Sequence, residues 1–188
     1  MKKIKLIFII LFSILFSSHS SSDELSHLFS KLINAENFYE ANNLEKKIWN
    51  IWITSGSNKK NNLEMKKGII FLNNGNLNNA LKVFLNLSKI EPEWAEPFNK
   101  VATIKFLQKD YFTSMKYIEL TLAKERRHFG AISGLAQINL LLGKFENALK
   151  NVNQALKIHP FIGIKKIKPL LLEKLKKREI NLYLNHIN

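Results

Sequence analysis

The chain of 188 residues contains no cysteine. No disulfide can therefore brace it, and whatever stability it has comes from packing and hydrogen bonding. Proline and glycine are also scarce, at four and seven residues, while 46% of the chain is hydrophobic. That composition excludes a disordered chain and is enough for one domain with a real core, or for a short solenoid. Acidic residues are in short supply as well: 15 Asp and Glu face 29 Lys and Arg, leaving a formal charge of +14. Long apolar runs are missing after the first residues. The run from Leu6 to Phe16 covers 11 residues, well short of the roughly 20 that a spanning helix needs.

That run has its own meaning. Lys2, Lys3 and Lys5 precede it and Ser17, Ser18, Ser20, Ser21 and Ser22 follow it, the order of a secretory signal peptide. Residues 1–22 are expected to be removed, with the cut after Ser20 or Ser22, and the mature chain to be periplasmic or secreted. No Cys follows the run to be acylated. Loss of Lys2, Lys3 and Lys5 lowers the charge from +14 to +11. Such a charge attracts anionic lipid, acidic polymers or nucleic acid, and export argues against the last. A coding bias toward Lys, Asn and Ile explains the same charge without any binding surface.

The strongest internal signal is a step of 34 residues. Ala80, Phe84, Leu87 and Pro92 return as Ser114, Ile118, Thr121 and Arg126, and again as Ala148, Val152, Ala155 and Pro160. Gly68, Ala102 and Ala136 keep the same step, as do Gly75, Lys109 and Gly143. Each unit parses into two amphipathic helices around a tight turn. The spacing predicts helices over about 61–74 and 77–90 in the first unit and 129–142 and 145–158 in the third, with Lys109 and Asp110 as the turn of the second. Small residues at Ala80, Ser114 and Ala148 let paired helices approach closely, and larger apolar residues four positions later fill the space. A repeated unit of this size buries its hydrophobic face only by stacking on its neighbours.

This pattern resembles the tetratricopeptide repeat family. Gly68, Ala80, Phe84 and Pro92 carry the resemblance in the first unit, and Ala136, Gly143, Phe145, Ala148, Ala155 and Pro160 carry it in the third. The second unit is the most divergent, with Ser114, Thr121 and Arg126. The resemblance covers about 61–160, as units 61–94, 95–128 and 129–162. It implies an all-α fold, a right-handed α-solenoid of about three helix pairs. It also implies a groove lined by the first helix of each pair, where a protein or peptide partner would bind. Projected onto this chain, the groove takes Met65 from the first unit, Asn99, Thr103 and Phe106 from the second, and Ser133 and Gln137 from the third. Amides and hydroxyls there suit a peptide backbone, and the apolar groups suit its side chains. Some members of the family hold a C-terminal carboxylate with basic and amide side chains. Here Ile69 and Gly134 stand where such a clamp needs polar groups, so that role is not expected.

Residues 23–57 are expected to form a helical cap over the exposed face of the first unit, with Trp49 and Trp52 on one helix face packing against it. Residues 163–188 are expected to form a basic capping helix, with Leu170, Leu171, Leu172 and Leu175 beside Lys174, Lys176, Lys177 and Arg178. The same helix is the alternative docking surface, for anionic lipid or cell-wall polymer in the envelope. Arg126, Arg127 and His128 cluster in the turn before the third unit and form a second candidate basic surface. A solvated turn is the simpler reading of them.

No catalytic constellation is present. Ser133 lies between Gly130 and Gly134 but one position late for a nucleophile elbow, and Gly143-Lys144 lacks the spacing and the hydroxyl of a phosphate loop. His27, His128, His159 and His186 show no paired carboxylate or second His at ligand spacing. They read as ordinary surface or turn histidines. No cofactor, no metal and no enzymatic activity are expected.

Overall fold

The structure, a computed structural model, describes residues 23–187. The expected signal segment, residues 1–22, lies outside the described residues. Helix α1 covers 23–33 and α2 covers Phe38–Ile53. The three repeat units follow as α3 (Lys59–Asn73) with α4 (Leu77–Ile90), α5 (Ala95–Leu107) with α6 (Tyr111–Lys124), and α7 (Phe129–Leu141) with α8 (Phe145–Ile158). A 3-10 turn over Gly163–Ile167 leads into α9 (Lys168–Ile187).

The 34-residue step is written into the backbone hydrogen bonds. Each first helix closes with the same six-residue bond, from Asn76 N to Phe71 O, Asp110 N to Lys105 O and Lys144 N to Asn139 O, at 2.8, 2.9 and 2.8 Å. Closing a helix this way requires a left-handed residue just before the donor. Gly75, Lys109 and Gly143 supply it, with φ of 73, 61 and 69°. Asparagine abundance finds a use at the other ends: Asn37, Asn58 and Asn76 accept from the backbone N–H three positions on, as N-caps of α2, α3 and α4. Asp110 does the same for α6, and the His128 Nδ1 for α7.

Packing within each unit follows the small-residue rule. Ala80 and Ala148 are completely enclosed, and Ser114 satisfies its hydroxyl by donating to the Ala102 carbonyl of the paired helix at 2.8 Å. At Gly68 a Cβ would sit 2.6 Å from the Phe84 ring. Leu171 of α9 is enclosed with Val152 and Ala155 of α8 in one core cluster, so the start of α9 closes the end of the third unit.

Lys109 is the non-glycine among three equivalent left-handed positions. A side chain there costs about 1–2 kcal/mol of native-state strain, whereas glycine costs about 0.5–1 kcal/mol of extra chain entropy. Lys109→Gly is therefore expected to stabilise the protein slightly, by up to about 1 kcal/mol. Thermal melts of Lys109→Gly and Gly143→Ala test this: the first should rise and the second fall, and a fall in the first would remove the strain assignment.

Candidate functional site

The N-terminal pair does not sit where the sequence reading placed it. Instead of covering the outer face of the first unit, α2 lies over the N-terminal ends of α5 and α7. Its Trp52 ring stacks on His128 with centroids 4.0 Å apart and planes 8° from parallel, and Trp49 meets Phe129 edge-on at 5.5 Å. Phe29 of α1 packs on both Trp52 and Phe129. Room for this comes from Gly130, where a Cβ would fall 2.7 Å from the Trp49 indole. The seam is tied to the first unit too, since Trp94 Nε1 donates to the Trp52 carbonyl at 2.6 Å. Glu91 holds the connecting segment by accepting from the backbone and hydroxyl of Ser57 and from the Asn61 amide.

Beneath the indoles lies a buried charge cluster. Glu96 is fully enclosed and meets Lys100 and His128 at 2.9 Å each, while the Asn99 amide donates to it at 3.2 Å. The His128 Nδ1 accepts from Ala131 N at 3.1 Å, so its proton sits on Nε2 and is donated to Glu96. Burial pushes the Glu96 carboxyl up, but attraction to Lys100 and the hydrogen bond from His128 outweigh it and hold the group below its ordinary range. A second pair joins α2 to the end of the third unit: His159 Nε2 lies 3.0 Å from Glu45, and that hydrogen bond lowers the Glu45 carboxyl. Lys100 also lies 5.2 Å from the centroid of Trp49.

These pairings correct the reading of the histidines. His128 and His159 are buried, each against a carboxylate, and neither is a surface residue. Glu96 and Lys100 stand four apart on one helix, but their partner His128 is 32 residues from Glu96 and Glu45 lies 114 residues from His159. The Arg126–Arg127–His128 cluster is dispersed in the same way. Arg126 is exposed, Arg127 forks onto Glu125 at 2.9 Å and covers the Phe29 ring, and His128 caps α7.

South of the seam, along α5 and α7, a groove remains open. Asn99, Thr103 and Phe106 of α5 and Gly130, Gly134 and Gln137 of α7 line a cavity of about 290 Å³, with Ala102, Ser114, Ile118 and Ala131 beneath. The structure thus brings together Asn99, Thr103, Phe106 and Gln137 among the expected groove residues. Met65 is excluded: it is fully enclosed in the core of the first unit, where it packs under Phe84 and Leu87 in one cluster. The Ser133 hydroxyl is enclosed and has no hydrogen-bond partner among the described residues. In α9, Lys174, Lys176, Lys177 and Arg178 are exposed, with Lys177 on Glu173 at 2.6 Å and Arg178 on Glu146 at 3.0 Å. Among the described residues no group of three or more His, Asp or Glu is placed to hold a metal, and no helix is long and apolar enough to cross a membrane.

The seam should open in acid. Glu45 and Glu96 both titrate below their unfolded values, so each contributes stability above the ordinary carboxylate range and loses it as pH falls through the folded value. The three tryptophans of the chain all lie in the seam. Their fluorescence should change cooperatively below about pH 4, and Glu45→Gln should remove the part contributed by the His159 link. An emission spectrum unchanged down to the point of global unfolding would refute the latching role of these pairs.

Comparison with known proteins gives a consistent result. No protein-family model matches the chain. A TPR repeat-containing protein of Rhizobium etli is 33% identical over 144 residues, covering 77% of this chain and 70% of that protein. The first TPR of Spaghetti (RPAP3), bound to the HSP90 peptide SRMEEVD, superposes with a TM-score of 0.59 at 18% identity, over 63% of this chain and 94% of that one. The TPR2B domain of yeast Sti1 in its pHsp70 complex gives 0.56 at 14%, over 64% and 99%. These helix pairs in register, and a relative of that similarity over most of both chains, place the protein in the tetratricopeptide repeat family.

Proposed function

We propose that the chain is an adaptor that holds a protein or peptide segment in the groove between α5 and α7, and that it works outside the cytoplasm after loss of residues 1–22. The carrying observation is the cavity itself. Its lining includes no titratable side chain, which supports binding in place of acid–base or nucleophilic chemistry. Domains of similar fold are known with partners: the Spaghetti domain is bound to an HSP90 peptide and the Sti1 domain is in a complex with pHsp70. The groove is short because α2 covers its neighbouring end, so a partner contributes a brief segment and not a long wrapped strand.

The competing surface is α9. Its basic side chains are exposed, yet two of the four are committed to Glu173 and Glu146 and its first turns close the third unit. We read it as a cap. Crosslinking in the native compartment separates the two. Phe106→Ala with Gln137→Ala is expected to lose the captured partner by tenfold or more, while Gln at Lys174, Lys176, Lys177 and Arg178 leaves capture unchanged. The reverse pattern, with both proteins folded by circular dichroism, would transfer the function to α9.

Export is tested separately by intact mass. The mature protein should lack about 20–22 N-terminal residues and appear in the soluble exported fraction. A mass that retains Met1 to Phe16 with membrane retention would show an anchor in place of a signal.

A further inference from the structure

The groove carries a more specific message about what enters it. Helix α7, Phe129–Leu141, contains no charged residue at all. Every cation of α5 is turned elsewhere: Lys100 to Glu96 at 2.9 Å, and Lys105 to Gln108 at 3.2 Å and toward Asp110 at 3.9 Å. Nearby polar groups are largely spent as well. The Ser114 hydroxyl donates to the Ala102 carbonyl, the Thr103 hydroxyl to the Asn99 carbonyl, and the Asn99 amide to Glu96. What faces the cavity is then an apolar floor of Ala102, Phe106, Ile118 and Ala131 under a neutral amide rim at Gln137.

The hollow exists because α7 carries glycine where a side chain would fit. A Cβ on Gly134 would meet only Ile118 Cδ1, at 3.5 Å, an ordinary contact. Glycine in a helix interior is destabilising relative to alanine, and no close approach at Gly134 requires it. At about 290 Å³ the space lies just below the range of ligand pockets, about 300–1,000 Å³, which suits a side chain and not a cofactor.

Resting on the adaptor reading above, we propose that this cavity is a socket for a single uncharged, aliphatic or aromatic side chain (Leu, Ile, Met or Phe) in a neutral peptide segment. It is not a receptor for an acidic tail. A carboxylate entering it would leave water for an apolar floor with no cation to meet it, which is strongly unfavourable, whereas an apolar side chain gains on burial. The chemistry thus departs from that of the Spaghetti domain, whose bound peptide SRMEEVD is acidic. The rim amide of Gln137 suits the partner's backbone, which offers both a donor and an acceptor.

The test is selection from a random dodecapeptide library displayed with free C-termini, against the full mature chain and two variants. Gly134→Leu fills the socket from within, and Gln137→Lys places a cation on an exposed rim without touching the core. The wild type should enrich neutral peptides with one shared Leu, Ile, Met or Phe position. Gly134→Leu should bind them at least tenfold more weakly while melting no lower than wild type, and Gln137→Lys should newly admit acidic peptides. If the wild type enriches acidic or C-terminal carboxylate peptides that Gly134→Leu no longer binds, the groove still reads peptides and the socket chemistry is overturned. If nothing is enriched, or Gly134→Leu and Gln137→Lys both bind the selected peptides as tightly as wild type, the groove reading falls with it.

Discussion

Glu96 is the constraint around which the rest of the molecule is arranged. A fully enclosed carboxylate is tolerable only where donors and a countercharge surround it, and Lys100, His128 and Asn99 meet that demand from the two first helices it joins. Because His128 also caps α7, the same imidazole that satisfies the carboxylate fixes where the third unit begins. The indoles of Trp49 and Trp52 then exclude water from the cluster. Removing one member of such a group leaves a buried charge uncompensated, typically about 3–5 kcal/mol, so the position of α2 is set by electrostatics as much as by its apolar face.

Two ends of one groove emerge from this arrangement with opposite chemistry. Where α5 and α7 start, the surface is charged, paired and covered by the chain's own helix. A few turns further on it is neutral, partly hollow and open. The strongly basic character of the whole chain does not reach this region, since α7 has no charge and the lysines of α5 are held by acids or by Gln108. Net charge therefore says little about the partner, and local lining says much more.

The repeat was legible because it is local: Ala80, Ser114 and Ala148 must be small wherever two helices touch closely, and Gly75, Lys109 and Gly143 must share one backbone conformation to close each first helix. These demands recur every 34 residues and leave a mark in the order of side chains. Asn99, Thr103, Phe106 and Gln137 were legible for the same reason, as projections of a periodic helix face. Met65 failed by the same logic, because the first unit buries that face under its own core. The seam left no mark of this kind. Glu45 and His159 stand in different elements with no shared period, and nothing near Trp49 in the chain announces that Gly130 has vacated space for it. Burial of His128 was hidden equally well, since a histidine before a helix reads as an ordinary turn until its distant carboxylate is known.

Solenoids are usually quasi-one-dimensional: each repeat leans only on its neighbours, so the array can fray from an end. The Glu45–His159 link and the Phe29–Phe129 contact remove that freedom here by joining the first helices to the last unit. The chain is in effect a closed loop of contacts, and its folding must bring together residues more than 100 positions apart, a slower and more cooperative event than zipping adjacent repeats. Loss of the third unit would therefore strip the first two helices of their support, and loss of those helices would uncover the third unit's core. The first helices and the last unit hold each other in place.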